Sequence, residues 1–454
     1  MTASPSLRRV APALLRVAFI GLLVVAAVVP RAWLAPFPAV YDAWSLLPFC
    51  GLVLVVLVDV RRPLTLPHLD LLALLSLVLA IAYAGGSRPW SMFLLYPQLV
   101  YLAVRMLVLA RARQVPVAGL RSQLPRAWLL VGILALIAVH VAWEAPAAAY
   151  FDVASDSIQG ALRIVHGQPL YAGVAGSATY GPSNFLAYIP FAELISNGDA
   201  ASRLATIEFT MLTGVLLFVL GRRERGTDVG LLLAFCWLAL PFTLYEDATG
   251  FNDSIVAASL VATLLCVRRA GPAGAAAAIA GWTKLAPLAI VPLLAIRRTR
   301  AQFARFAATF VLTTALLFIP AFAHSTPASF ISQSFGYQAA RVQQNTIWAA
   351  SLTWARHAHW LVTVSAVLHA LTLGITVAAV LLLPRARLRE DLTGIAAASA
   401  GILLLVELVI NDFAYSYILW FAPLVLIVLV LGHAPGTSAD PGSTTRSRAP
   451  ARGA

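Results

Sequence analysis

Five stretches of this sequence hold residue types whose spacing could support chemistry. YFDVASDSIQGALRIVHGQPLY places Asp152, Asp156, Gln159 and Arg163 at i, i+4, i+7 and i+11, one face of any helix that reaches back to Asp152. A carboxylate held there could take the proton of an attacking hydroxyl. Equally, the two acids could be ordinary first-turn residues favoured by the helix dipole on a solvated face. EDATGFNDSIVAASL sets Glu246, Asp247, Asn252 and Asp253 at a connection, with Asn252 and Asp253 opening the next apolar run, where capping is the plain explanation. GWTKLAPLAIVPLL carries Lys284, the single lysine among 32 basic residues. A cation inside hydrocarbon costs at least ~2.5 kcal/mol, so Lys284 needs a partner or an anion unless it snorkels to a headgroup. NDFAYSYILWFAPL, with Asp412, Tyr415, Tyr417 and Trp420, reads as an interfacial aromatic belt or as a stacking platform for a sugar. RVQQNTIWAASLTW, with Arg341, Gln344, Asn345 and Trp348, is either an ordinary polar loop or a headgroup-binding segment.

The elements that must position these residues follow from composition. The chain has 454 residues, 60% hydrophobic and 11% charged, against about 25% charged in soluble domains. Its apolar runs are continuous rather than alternating, which excludes an outer-membrane barrel and predicts an all-α polytopic transmembrane bundle. Helices are expected near 11–29, 46–60, 70–85, 91–110, 127–143, 202–221, 229–244, 253–267, 272–283, 286–296, 302–322, 360–383, 392–411 and 413–432. That makes about fourteen, of which 272–283 and 286–296 are too short to cross a core of roughly 30 Å alone. They read as a hairpin broken around Lys284 and Pro287, buried where irregular backbone is tolerated. The segment YGPSNFLAYIPFAELI from Tyr180 reads as an interfacial or re-entrant helix, so the loop 144–201 becomes a lid of juxtamembrane helices.

Arginines cluster between the runs: Arg8/Arg9, Arg61/Arg62, Arg111/Arg113/Arg121/Arg126, Arg222/Arg223/Arg225, Arg268/Arg269, Arg297/Arg298/Arg300 and Arg385/Arg387/Arg389. The net charge of +13 is therefore a positive-inside signature rather than a nucleic-acid surface, and both termini are expected in the cytoplasm of a multi-pass cell-membrane protein. The basic start and the apolar run near Val17–Val29 read as a retained signal anchor. Asp42, Glu144, Asp152, Asp156, Glu193, Asp199, Glu246, Asp247, Asp253 and Asp412 then fall on or near the outer face, as do two long loops, 144–201 and 323–359. Extracytoplasmic chemistry follows from that placement. Cys50, Cys236 and Cys266 lack metal-ligand spacing and read as small core residues. Arg105, His140, Glu208 and Glu407, alone within helices, are assigned no chemistry. The chain divides into N-terminal helices of unassigned role (1–126), a core with the first outer loop (127–300), C-terminal helices (301–432) and a Pro/Gly/Ser-rich disordered tail (433–454).

The order of these pieces resembles the GT-C superfamily of membrane glycosyltransferases, most nearly the polyprenol-phosphomannose-dependent mannosyltransferases of glycosyltransferase family 87. The carrying residues are Asp152 leading into Gly167, Pro169 and Tyr171; Tyr180 and Pro182; Asn252–Asp253; Thr283, Lys284 and Pro287; and the aromatic Tyr415 to Trp420. The resemblance spans about 127–432. Four helices precede the one that matches the family's first, and Asp156 stands where the family commonly has an aromatic. It implies inverting transfer of a mannose or arabinose type sugar from a polyprenyl-phosphate donor to an envelope glycan or glycolipid acceptor. Asp152 would be the base, with Asp156 the alternative. Lys284, with Arg341, would bind phosphate, while Tyr171, Tyr180, Asn252, Asp253 and Tyr415 would line the substrate site. With no D-x-D in the first outer loop, no obligatory metal or other cofactor is expected. The rival readings are a lipid-linked-sugar flippase or transporter and a non-catalytic GT-C-like subunit.

Overall fold

The computed structural model describes residues 5–33, 46–59, 61–84, 88–111, 119–142, 152–171, 178–341, 343, 345–349 and 358–432. Asp42, Arg113, Glu144, Gln344, the tail from His433 and parts of both long outer loops lie outside the described residues.

Helices account for nearly all of it. The N-terminal set is α1 (Pro5–Trp33), α2 (Leu47–Leu57), α3 (Leu66–Ser76), α4 (Val78–Ala84) and α5 (Arg88–Leu109). After α6 (Arg126–Ala142), the first long loop carries α7 (Asp152–Val165) and α8 (Pro182–Leu194). Then follow α9 (Gly198–Arg225), α10 (Thr227–Leu238), α11 (Pro241–Thr249), α12 (Asp253–Leu265), α13 (Ala270–Thr283), α14 (Val291–Ile296) and α15 (Arg300–Phe322). The second long loop holds the short α16 (Pro327–Ile331) and α17 (Tyr337–Ala340), and the chain finishes with α18 (His359–Leu382), α19 (Leu392–Glu407) and α20 (Ile418–Leu431). Among the described residues, extended pairing is limited to an isolated bridge between Arg111 and Leu388.

Each apolar run carries helix, but fewer are membrane spans than expected. Among the described residues, four helices are long and apolar enough to cross: Ser91–Leu109, Gly198–Arg225, Arg300–Phe322 and His359–Arg385. Counting α10 and α11 as one span bent by 52° makes five. Hydropathy does not register where the backbone breaks. Pro241 has no N–H for the Trp237 carbonyl, and so ends α10 within the run 229–244. Ser76 Oγ turns back onto the Ala73 carbonyl at 2.9 Å where the run 70–85 divides. The shorter apolar helices, 10–17 residues long, can stay in the bundle because neighbours surround them. Every residue of α20 is buried, the pattern of a helix apolar all round.

That central helix packs against α10, α12 and α19, and α5 lies along the far side of α19. The N-terminal helices are thus built into the bundle. By contrast α15 and α18 present Val311, Leu312, Leu316, Leu371 and Ile375 outward, as helices do when hydrocarbon rather than water bathes them. Over one end of the bundle lie α7 and α8, packed on each other and on α9, with α8 also reaching α13.

Candidate functional site

At that end α13 stops. Lys284 takes an extended conformation (φ −135°, ψ 150°), and the chain resumes as a tight turn, Ala286–Ile290, opened by Pro287. Proline removes a donor and crowds the carbonyl four residues back, which accounts for the break. The broken backbone delivers Lys284 into the bundle, 8% exposed. Its Nζ lies 2.5 Å from Asp253 Oδ1 and faces the rings of Tyr417, Tyr180 and Trp420 at 4.8, 5.4 and 5.6 Å from their centroids. Tyr417 and Trp420 are stacked, 4.3 Å apart. Trp420 Nε1 donates to the same Asp253 oxygen at 2.6 Å. The ammonium is thus paired and caged rather than snorkelled.

Asp253 is the first residue of α12, and the start of that helix is organised from elsewhere. Asn252 makes no side-chain cap bond. The cap comes from α11: Glu246 Oε1 accepts the backbone N–H groups of Asp253 (2.6 Å) and Ser254 (3.0 Å), satisfying two of the donors a helix start leaves open. Gly250, at φ +66°, ends α11 in a left-handed turn and brings the chain back toward α12. Asn252, released from capping, donates to Asn184 Oδ1 at 2.8 Å, and Asn184 donates to Ser157 Oγ at 3.1 Å. That chain of amides ties the start of α12 through α8 to α7, the helix of Asp152 and Asp156.

The two acids sit one turn apart at the start of α7. Asp152 is exposed and Asp156 half-buried. Burial, and then the Asp152 charge, push the Asp156 carboxyl up to about 6, against the opposing pull of Arg163. Tyr180 links these acids to the Lys284 cluster. Its phenol is held well above its usual range, first by desolvation and then by negative charge on Tyr417, Asp152, Asp253 and Asp156. Its turn is held tightly: a Cβ on Gly181 would lie 2.0 Å from the Trp282 carbonyl oxygen, at the end of α13.

Arg341 pairs with Asp412, which also accepts from Asn345 Nδ2 at 2.9 Å. Burial works against the guanidinium charge, but Tyr417, Asp412, Tyr337 and Tyr180 outweigh it and raise its pKa. The Arg341 guanidinium lies over the Tyr337 ring, 5.8 Å from the centroid. Two other expected site residues are placed differently. Tyr171 is packed among Phe185, Phe322 and Phe330, and its hydroxyl donates to the Tyr180 carbonyl at 3.3 Å. It therefore supports the Tyr180 turn from behind. Tyr415 shares a 2.8 Å hydrogen bond with Ser91 of α5 and stands edge-on to Tyr245, while Tyr417 and Trp420 of the same motif face Lys284.

The cluster contains more polar atoms than its own members satisfy. Asp253 Oδ2, Glu246 Oε2, Asn252 Oδ1, Ser254 Oγ, Ser183 Oγ and Arg341 Nε are buried without a protein partner among the described residues. So are both oxygens of Glu407, at the end of α19, a side chain within electrostatic range of Asp253 and Lys284. Each such atom costs about 1–3 kcal/mol, and several belong to the residues that form or flank the Asp253–Lys284 pair. Lys284 keeps two N–H donors beyond the one given to Asp253. Sequence reasoning placed Glu246 at this connection without a role, assigned Glu407 no chemistry, and missed Asn184, whose only signal was polarity inside an apolar run. Among the described residues no three His, Cys, Asp or Glu side chains converge as metal ligands.

Compared with known families, the chain matches glycosyltransferase family 87 over residues 178–410. No curated protein matches it at a significant level. The matched stretch is narrower than the resemblance read from the motifs. It contains Tyr180, Asn252, Asp253, Lys284 and Arg341 and leaves Asp152, Asp156, Tyr171 and Tyr415 outside. A match over more than half of the 454 residues makes the chain a member of glycosyltransferase family 87, of the GT-C superfamily: a membrane-embedded enzyme acting on a lipid-linked sugar donor.

Proposed function

We propose that this enzyme transfers a mannose or arabinose type sugar from a polyprenyl-phosphate donor to an envelope glycan or glycolipid on the extracytoplasmic side, with inversion and with both chain termini in the cytoplasm. The observation that carries the reading is the buried Lys284 ammonium, paired with one Asp253 oxygen and facing the Tyr180, Tyr417 and Trp420 rings, at a helix start tied through Asn252, Asn184 and Ser157 to the helix of Asp152.

In this mechanism the acceptor hydroxyl attacks the anomeric carbon as the bond from that carbon to the phosphate oxygen breaks. A phosphate is a good leaving group, so the acceptor proton is the harder problem, and Asp152 takes it as the new bond forms. Asp156, one turn further along α7, is the alternative base. Lys284 offers its remaining N–H donors to the departing phosphate, with Arg341 as a second cation. Asp253 holds the ammonium in place. Tyr180, Tyr417 and Trp420 supply flat faces for the sugar, and the unpartnered oxygens of Asn252, Asp253 and Glu246 accept from its hydroxyls.

The test is transfer from a radiolabelled polyprenyl-phosphate sugar by purified protein, with product analysis. Asp152→Asn and Lys284→Ala, eluting as the wild type does in detergent, should each lose turnover by roughly 100-fold or more. Label that crosses the membrane still attached to its lipid would indicate transport instead. Wild-type turnover in both variants would remove the assigned roles.

A further inference from the structure

Outside this cluster, His140 is a buried polar group with both ring nitrogens engaged. Its ring lies on α6, fully buried, with Nδ1 2.5 Å from Asp247 Oδ2 and Nε2 2.9 Å from the Leu238 carbonyl. A carbonyl oxygen only accepts, so Nε2 carries a hydrogen, and one more proton is shared between Nδ1 and the carboxylate. The other Asp247 oxygen accepts Thr210 Oγ1 of α9 at 2.7 Å. Trp237 Nε1 in turn holds the Thr210 carbonyl at 2.9 Å. Unlike Glu246 beside it, Asp247 has both oxygens satisfied.

The location gives this network its meaning. Leu238 is the last residue of α10, at the break before α11, and Asp247 lies on α11 itself. The neighbouring residue on α11 is Glu246, whose Oε1 caps α12 at Asp253. One short helix is therefore gripped on one side by His140 and Thr210 and on the other grips the backbone from which Asp253 meets Lys284. We propose that His140 is a positioning residue for the transfer reaction: through Asp247 it sets the pose of α11 and so the placement of Asp253 and Lys284. This rests on the role proposed for the Asp253–Lys284 pair.

The two ring nitrogens can be tested separately. Asparagine places its amide nitrogen where Nδ1 stands, and glutamine places its own where Nε2 stands. His140→Asn keeps a donor toward Asp247 and gives up the Leu238 bond, while His140→Gln does the reverse. If the link to Asp247 positions α11, His140→Gln should lose roughly 100-fold in kcat, the scale of a displacement of about 1 Å at the reacting groups. The donor KM should stay within about twofold, since Asp253 and Lys284 still bind but are misaligned. His140→Asn should remain within about threefold of wild type, because it spares that link. Equal losses in both variants, or a normal kcat in His140→Gln, would overturn the inference and leave His140 as a plug for the open carbonyl. Should His140→Gln not fold, Asp247→Ala removes the same link from the α11 side, and an unchanged kcat there would equally overturn it. Lys284→Ala is assayed alongside. Normal turnover in that variant refutes the proposed site, whereas an inactive Lys284→Ala beside a normal His140→Gln refutes only the positioning role.

Discussion

The Arg105–Asp70 and Lys284–Asp253 pairs both lie within this bundle, and they are built differently. In the N-terminal helices, Arg105 of α5 grips Asp70 of α3 with two parallel bonds, Nε to Oδ1 at 2.8 Å and Nη2 to Oδ2 at 2.9 Å. Tyr101 adds a third, its hydroxyl 2.8 Å from Oδ1. Every oxygen of Asp70 is engaged. In the family-matched region, Lys284 meets Asp253 through one oxygen, leaving Oδ2 unpartnered. A guanidinium fork closes a carboxylate, while an ammonium is a point charge with donors to spare. The first pair is a finished joint between helices. The second keeps a carboxylate oxygen with no protein partner among the described residues.

Making the second pair resemble the first should have the largest effect. Lys284→Arg keeps the charge but lets the fork engage both Asp253 oxygens, and turnover should fall roughly 100-fold, the scale of losing an oriented donor to developing charge. The measurement is kcat with the lipid donor; a rate near wild type would mean that charge alone suffices. The converse change is milder. Arg105→Lys should cost about 2 kcal/mol of unfolding free energy by loosening a buried charge-assisted bond, with turnover per folded molecule unchanged. Denaturant titration in detergent beside an activity assay would separate the two, and a fall in kcat would mean that the N-terminal pair is not merely a joint.

The smallest expected effect concerns the α7 acids, a like-charge pair opposed by Arg163. Burial and Asp152 raise the Asp156 carboxyl from 3.8 to about 6. A raised acid favours the folded state while protonated, so this contribution is complete below about 4 and lost as pH rises through about 6. The thermal midpoint of the wild type should decline across that window. Asp156→Asn should show less decline, and Asp152→Asn should shift it to lower pH; identical profiles in all three would remove the electrostatic coupling.

Much of the local structure was legible in the sequence. Apolar runs became helices, Pro287 marked the break at Lys284, and the outer loop carried helices beginning at Asp152 and Pro182. Hydropathy and helical spacing are local properties, and these features are local too. The pairings were not legible, because they depend on how each helix is rotated against its neighbours. Asp253 was expected to cap its own helix or shape a pocket, yet it holds a lysine 31 residues on, while a glutamate seven residues upstream does the capping. Tyr415 and Tyr417 are two residues apart at a tight turn, and one faces Ser91 while the other faces Lys284. Nothing in their types distinguishes them.

The contact at Gly181 has a mechanical result. With no side chain there, the turn after Tyr180 rests directly on the Trp282 carbonyl, two residues before Lys284. The segment of Tyr180 and the interrupted helix consequently meet backbone to backbone as one block. Even a methyl group at position 181 would wedge that block apart.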